Sequence, residues 1–391
     1  MISASTLRAI EIDVHQDQRW LEFVSHHTGA LIYHHPNWLA VLEREYNQKC
    51  LGLACEDESG RLRAVLPLFY SKGLPLRLGK RSTNSRYSSS PRTPVTGPLA
   101  VDDESMAAIL RQAIDLVRGK SRLQLEIKSH EDSLSKLVPE LTCVPWGSTY
   151  IEQLPAEAES CGWEDFCESV RLPRECGDCH ECKRLRFGNA KKQHRVNWAV
   201  NKAVKLGLHV REAESEIDIR QWYKLYLDAM RYHSFPPRPE RFFVDLWSTL
   251  HPQGQMKLLV AERAEDGRMR MVAGSIFLRF GQTVFYAFTG CAHRDFHLHP
   301  HDILQLESIR DSCKNGYRWY DFGEATNHQG LAQFKGKWGT EARPLYRYYY
   351  PGTVVGAESK ASPFVSLMRQ GWRSLPLGLT AKLGDKIHRY M

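Results

Sequence analysis

Residues Tyr320–Tyr350 read YDFGEATNHQGLAQFKGKWGTEARPLYRYYY. The stretch Arg318–Phe322 reads as a strand, and Gly323 ends it. A polar loop follows. Gly330-Leu331, Phe334-Lys335 and Trp338-Gly339 come next, with Lys335 expected at the start of a helix. Leu345–Tyr350 reads as a closing, tyrosine-rich strand.

Upstream, Pro300–Asn315 reads as a helix with Pro at its first turn and Gly316 at its end. Before it stand Thr283–Thr289, Met271–Phe280 and Met256–Glu262, three apolar runs, the last two separated by the Asp266-Gly267 turn. Helices are expected over Lys191–Gly207, Ile217–His233 and Pro239–Leu250, with a strand at Leu208–Glu212. The first half shows a looser version of the same order. Leu7–Ile12 reads as a strand, Gln18–His27 and Asn37–Tyr46 as helices. Leu51–Cys55 and Leu62–Tyr70 form a hairpin. Lys80–Pro94 reads as a loop, Asp103–Gly119 as a helix and Leu123–Lys128 as a strand. Helices, antiparallel strands, a helix and another strand imply an α+β fold with a mixed, mostly antiparallel sheet, repeated in tandem. The expected organisation is residues 1–150, 151–352 with a Cys-rich, basic insert at about 174–195, and a basic tail at 353–391.

The chain has 391 residues, enough for two or three domains. Hydrophobic residues at 42% and charged residues at 25% exclude a mostly disordered chain. No apolar run is long enough to span a membrane, and the N-terminus shows no basic segment followed by an apolar one. The expected location is the cytoplasm, with contact at the inner face of the membrane as an option. The net charge of +8 suits phosphate-bearing ligands, RNA or an anionic membrane, and excludes none of the alternatives.

The motif at 320–350, together with Pro36-Asn37-Trp38 and Gly60–Pro67, resembles the FemAB-like branch of the GNAT acyltransferase superfamily, whose members carry two GNAT-type domains. The tail resembles FemAB-like proteins of exopolysaccharide and exosortase-associated loci. The resemblance implies transfer of an acyl or aminoacyl group to an amine of a cell-envelope or polysaccharide precursor. Attack would be direct, within a ternary complex, from an acyl-CoA or aminoacyl-tRNA donor. It also implies that Lys335 places its charge near the acyl carbonyl; a surface lysine beside Lys337 is the alternative. An acetyl-CoA-dependent N-acetyltransferase of a small amine or amino sugar stays open. So does a non-catalytic module that binds tRNA or a diphosphate lipid.

Acyl transfer needs a deprotonated nucleophile and a stabilised oxyanion. Asp321, at a strand end, could accept a proton, or could cap the turn after it. Glu324 is a second candidate base. Tyr286 could protonate a leaving group, or pack as a core aromatic. Phe334 and Trp338 are candidate substrate-binding residues. Acyl-CoA enzymes of this superfamily carry a glycine-rich loop that holds pyrophosphate at a helix start. Here Gly290–Asp302 lacks those glycines. Arg294 and His301 are the candidate donor-binding residues, and four histidines at 293, 297, 299 and 301 raise a weaker metal option.

Cys176, Cys179 and Cys182 offer three thiolates at zinc-compatible spacing, without a second Cys-x-x-Cys pair. A reduced loop is the alternative. Residues 183–211 hold nine basic side chains and no acid. Such a run can hold phosphate groups, and the resemblance implies that Arg195 and Lys202, seven apart on one helix face, are counterparts of residues that bind a substrate's diphosphate; tRNA or a solvated face would suit the run equally. The tail mixes basic residues with Phe364, Leu367, Trp372, Leu375, Leu377 and Leu379. It would either pack on the domain or lie at a membrane surface.

Overall fold

The computed structural model describes residues 7–72, 85–120, 122–154, 188–325, 329–352 and 370–388. It divides into two compact units. One holds Met1–Gly147, Pro344–Ser366 and Lys386–Met391; the other holds Ser148–Arg343 and Leu367–Asp385. Both units have a mixed α+β architecture with mostly antiparallel pairing.

In the first unit the chain runs β1 (Arg8–Ile12), α1 (Gln18–His26), α2 (Pro36–Tyr46), β2 (Leu51–Glu56) and β3 (Leu62–Ser71). Then come β4 (Ser85–Ser88), β5 (Leu99–Ala100), α3 (Asp103–Asp115), β6 (Leu123–Ser129) and α4 (Leu134–Leu137). Strands β1 to β4 pair antiparallel in sequence order, and β4 pairs parallel with β6. Helix α3 makes the crossover that a parallel pair requires. Asp102 caps it by accepting from Ser105 N–H. Its apolar stripe, Met106, Ile109, Leu110, Ala113 and Ile114, packs on Leu53, Leu66, Leu125 and Ile127.

The expected loop over Lys80–Pro94 is corrected by β4. That strand escapes apolar patterning because it is polar: Ser88 Oγ and Arg86 both face Glu126, at 3.2 and 3.4 Å. Glu126 is buried and also pairs with Arg347 at 2.5 Å. Charged and hydroxyl partners thus join the backbone ladder in seating this strand, while Tyr87 packs against the core.

The second unit contains the end of β7 (Thr142–Gln153), then α5 (Ala190–Lys205), β8 (Leu208–Glu212), α6 (Glu216–His233) and α7 (Glu240–Leu250). It continues with β9 (Met256–Glu265), β10 (Arg268–Phe280), β11 (Thr283–Cys291), α8 (Pro300–Lys314), β12 (Trp319–Glu324) and α9 (Gln329–Gly336). Strands β8 to β11 pair antiparallel in sequence order, β11 pairs parallel with β12 through the α8 crossover, and β12 pairs antiparallel with β7. Helices α5 and α8 pack in one core with strand residues Leu259, Val272, Phe277, Val284, Tyr320 and Phe322. Helix α6 sits against β11, where Gly290 allows the approach: a Cβ there would stand 2.5 Å from the Tyr226 backbone nitrogen.

The last strand, β13 (Glu341–Tyr350), pairs with β6 of the first unit through Tyr346–Tyr350. Thus β7, which follows β6 in sequence, completes the second unit, and β13, which follows β12, completes the first. Strand β7 has no counterpart in the expectations above.

A final helix, α10 (Leu377–His388), packs on the second unit. Thr380 is buried, a Cβ on Gly384 would stand 2.5 Å from Pro237 Cδ, and Asp385 pairs with Arg241 at 2.5 Å. No helix among the described residues is long and apolar enough to cross a membrane.

Candidate active site

Strands β11 and β12 are paired only over Thr283–Phe285 and Trp319–Asp321. Beyond that point they part, although β11 continues to Cys291. Two irregularities open them. In β11, Tyr286 lies opposite Phe277 and Phe288 opposite Ile276, so Ala287 is an extra, bulged residue. In β12, the register with β7 shifts between Asp321 and Glu324. Two parallel strands that diverge at their carboxyl ends leave a cleft where a ligand can enter a sheet.

The turn in β12 is built by Asp321-Phe322-Gly323. Gly323 has φ +77, a conformation that glycine adopts without steric cost. The Asp321 carboxylate secures it, accepting from Gly323 N–H at 2.7 Å and from the Thr149 hydroxyl at 2.6 Å. Asp321 is 6% exposed and Thr149 is buried. The carboxylate therefore has two structural donors, the turn-capping arrangement of the two sequence readings.

Lys335 lies in the last turn of α9, not at the start of a helix as expected. The helix begins six residues earlier than the motif suggested, at Gln329, so Lys335 points back toward the turn it follows in sequence. Its Nζ donates to the main-chain oxygen of Glu324 at 2.8 Å. It is 4% exposed. A Cβ built on Gly323 would lie 3.6 Å from this Nζ and 3.5 Å from the Tyr286 carbonyl oxygen. The ammonium thus stands at the point where β11 and β12 part. Burial lowers its pKa to about 8, against the pull of Asp321 and Glu324. Thr340 Oγ donates to the Lys335 carbonyl at 3.2 Å and ties down the helix end.

Tyr286 is half-buried beside this point. Burial raises its hydroxyl pKa, against opposing hydrogen bonds from Thr289, Ser275 and Gln305. These belong to a polar cluster in the sheet: Ser275 Oγ lies 3.0 Å from Thr289 Oγ1, which lies 3.2 Å from His301 Nδ1. Burial holds the His301 pKa down to about 4. Its ring is neutral at pH 7, so it can offer a hydrogen bond to a ligand but no positive charge. Phe334 is half-buried and meets His301 edge-on, 6.4 Å between centroids. Trp338 is 0% exposed and packs on Phe322 in the core, which leaves no surface of it for the substrate contact expected of it.

The remaining expected residues lie apart from this group. Arg195 is exposed on α5, and Lys202, on the same helix, lies over the Trp198 ring at 4.9 Å. Arg294 is 75% exposed in the 3₁₀ turn His293–Leu298. The four histidines face different partners: Tyr232 for His293, the Arg294 carbonyl for His297, Trp198 for His299 and Thr289 for His301. Among the described residues no group of three or more His, Cys, Asp or Glu side chains is placed to hold a metal. Cys176, Cys179 and Cys182 lie outside the described residues.

One titratable group here was not singled out from sequence. Glu152 on β7 lies opposite Tyr320 of β12. Burial raises its carboxyl pKa to about 7, against the pull of Lys192. Only the placement of β7 in this sheet reveals it.

Residues 190–336 match the family described as an acetyltransferase (GNAT) domain. No curated relative matches the chain by sequence. Among solved structures, FemX superposes with TM-score 0.61 at 14% identity, over 88% of this chain and 97% of that one. The C-terminal domain of a putative lysylphosphatidylglycerol synthetase from Agrobacterium fabrum superposes with TM-score 0.52 at 13% identity, over 92% and 96%. L-PGS from Bacillus licheniformis gives TM-score 0.51 at 11% identity, over 92% and 98%. The chain shares its fold with FemX, and residues 190–336, within the second unit, are similar to a GNAT acetyltransferase domain.

Proposed function

We propose that the second unit transfers an acyl or aminoacyl group to an amine of a cell-envelope or polysaccharide precursor, with Lys335 as the group that stabilises the reacting carbonyl. The observation that carries this reading is the buried Lys335 ammonium at the divergence of β11 and β12. A desolvated cation with a fixed hydrogen bond is a preorganised partner for an oxyanion, since it needs no reorientation as charge develops.

The amine nitrogen bonds to the acyl carbon, and the carbonyl oxygen takes up negative charge near Lys335 Nζ. The bond to the leaving sulfur or oxygen then breaks. Tyr286, whose hydroxyl stays protonated at neutral pH, is the group that donates to the leaving atom. The Glu324 carboxylate accepts the amine proton, because Asp321 already serves the Gly323 turn. Phe334, at the half-buried edge of α9, lines the approach.

The donor is an acyl-CoA-type thioester or an aminoacyl ester; both present the same carbonyl. The GNAT match supports the first, and the likeness to FemX and to lysylphosphatidylglycerol synthetases supports the second. An acetyl-CoA-dependent N-acetyltransferase remains the second reading. Single-turnover transfer from radiolabelled acyl-CoAs and from charged tRNA, by wild type and by Lys335→Ala, tests both. Transfer from either donor that is lost in the variant supports the role of Lys335. Transfer that is unchanged in the variant removes Lys335 from the chemistry.

A further inference from the structure

Helix α10 is packed inside out. A surface helix ordinarily turns its apolar stripe to the core and its polar residues to solvent. Here the side that meets the second unit is small and polar. Thr380 is buried, Gly384 lets Pro237 approach, and Asp385 pairs with Arg241. The leucines are on the other side: Leu379 is 47% exposed and Leu383 is 37% exposed. Four residues apart, they stand one above the other on the helix.

The same outward side is basic. Lys382 and Lys386 lie within one turn of the two leucines and both are exposed. Among the described residues neither pairs with a carboxylate. The helix has a single acid, Asp385, and that carboxylate is turned inward to Arg241. Just before the helix, Arg373 is exposed and donates to the neutral Ser234 hydroxyl at 3.1 Å. Phe235, next to Ser234 and two residues before Pro237, is exposed as well, so a third apolar side chain borders the C-terminal segment.

A helix that buries threonine and glycine while leaving leucine in water gives up apolar burial within its own chain. The arrangement becomes favourable once something less polar than water covers the leucines. The lysines around them select a cover of negative charge. An anionic bilayer supplies both parts at the right depths: acyl chains for the leucines, and headgroup phosphates at the level that lysine stems reach.

We propose that the outward face of α10 rests on an anionic lipid bilayer, with Leu379 and Leu383 at the boundary of headgroups and acyl chains and Lys382 and Lys386 against lipid phosphates. The contact lies along the surface and needs no spanning helix. Packing on the domain and lying at a membrane surface are then opposite faces of one helix. The inference goes beyond the acyl-transfer reading and does not rest on Lys335.

Co-sedimentation of the full-length protein with vesicles tests it, with phosphatidylserine mixed into phosphatidylcholine against phosphatidylcholine alone. The proteins are wild type, Leu379→Ser with Leu383→Ser, and Lys382→Glu with Lys386→Glu. All four side chains are exposed, and circular dichroism verifies that the variants are folded. Wild type is expected to sediment with the anionic vesicles, each double variant to bind roughly tenfold or more weakly, and added salt to release the protein. Absence of wild-type binding overturns the proposal. So does equal binding by all three proteins, which would move the lipid contact to other basic residues. Equal binding to both kinds of vesicle overturns the assignment to an anionic surface. A wild-type dimer that the leucine variant does not form overturns the proposal as well, because a second copy of the chain would then cover the leucines.

Discussion

The Lys335 ammonium donates to the main-chain oxygen of Glu324 at 2.8 Å, across the turn that Gly323 makes at φ +77. The helix that ends with Lys335 is thereby tied to the strand end that opens the sheet. If the charge serves the oxyanion, Lys335→Ala lowers single-turnover transfer by ~10²–10³-fold, the loss typical of one oxyanion donor. Only the cation is active, and its pKa lies at about 8. The Lys335 charge therefore gives the kcat/KM profile an alkaline limb that falls as pH rises through about 8. Lys335→Arg moves that limb upward.

Asp321 supports the turn through Gly323 N–H and Thr149. Asp321→Ala leaves the buried Thr149 hydroxyl and the half-buried Gly323 N–H without their shared acceptor, at a cost of about 1–3 kcal/mol in denaturant unfolding. Activity falls with it, because the strand end that receives Lys335 is no longer held. A variant as stable as wild type would show that the carboxylate does not secure the turn.

Gly290 is required by the close passage of α6 over β11. In Gly290→Ala the Cβ would sit 2.5 Å from the Tyr226 nitrogen and 2.9 Å from the Leu225 carbonyl carbon. Backbone atoms cannot rotate away, so overpacking costs roughly 1–3 kcal/mol. The melting temperature reports it.

Glu152 binds a proton more readily in the folded protein, at about 7, than at its ordinary 4.5. The folded state therefore holds more protons between these values, and stability falls as pH rises through that window. Glu152→Gln raises the melting temperature above pH 7 and leaves it nearly unchanged near pH 4. Thermal scans at the two pH values check the difference.

Glu126 behaves in the opposite sense. Burial alone would raise its carboxyl, but Lys128, Arg347 and Arg86 outweigh it and hold the pKa at about 2. Its contribution is complete above 4.5 and disappears as pH falls toward 2. Arg347→Met leaves the carboxylate under-compensated, destabilises the first unit at pH 7, and reduces the difference between pH 7 and pH 3 in unfolding measurements.

The sequence alone determined most of the elements. Apolar periodicity, the Asp266-Gly267 turn, the proline at position 300 and the glycine at 316 placed helices and hairpins within a few residues, because those signals act between near neighbours. The motif at 320–350 also marked Asp321, Gly323 and Lys335 as a group. Tertiary structure decided what neighbours in sequence cannot encode. Strand β4 is held by Glu126, 38 residues from Ser88, and its polar residues disguised it as a loop. Strand β7 pairs with β12, not with the strand before it, and this partner is what half-buries Glu152. From sequence, Lys335 has two readings, the charge near the acyl carbonyl that the family resemblance implies and a surface lysine beside Lys337. Its burial, and hence its lowered pKa, depends on long-range packing that no local pattern records.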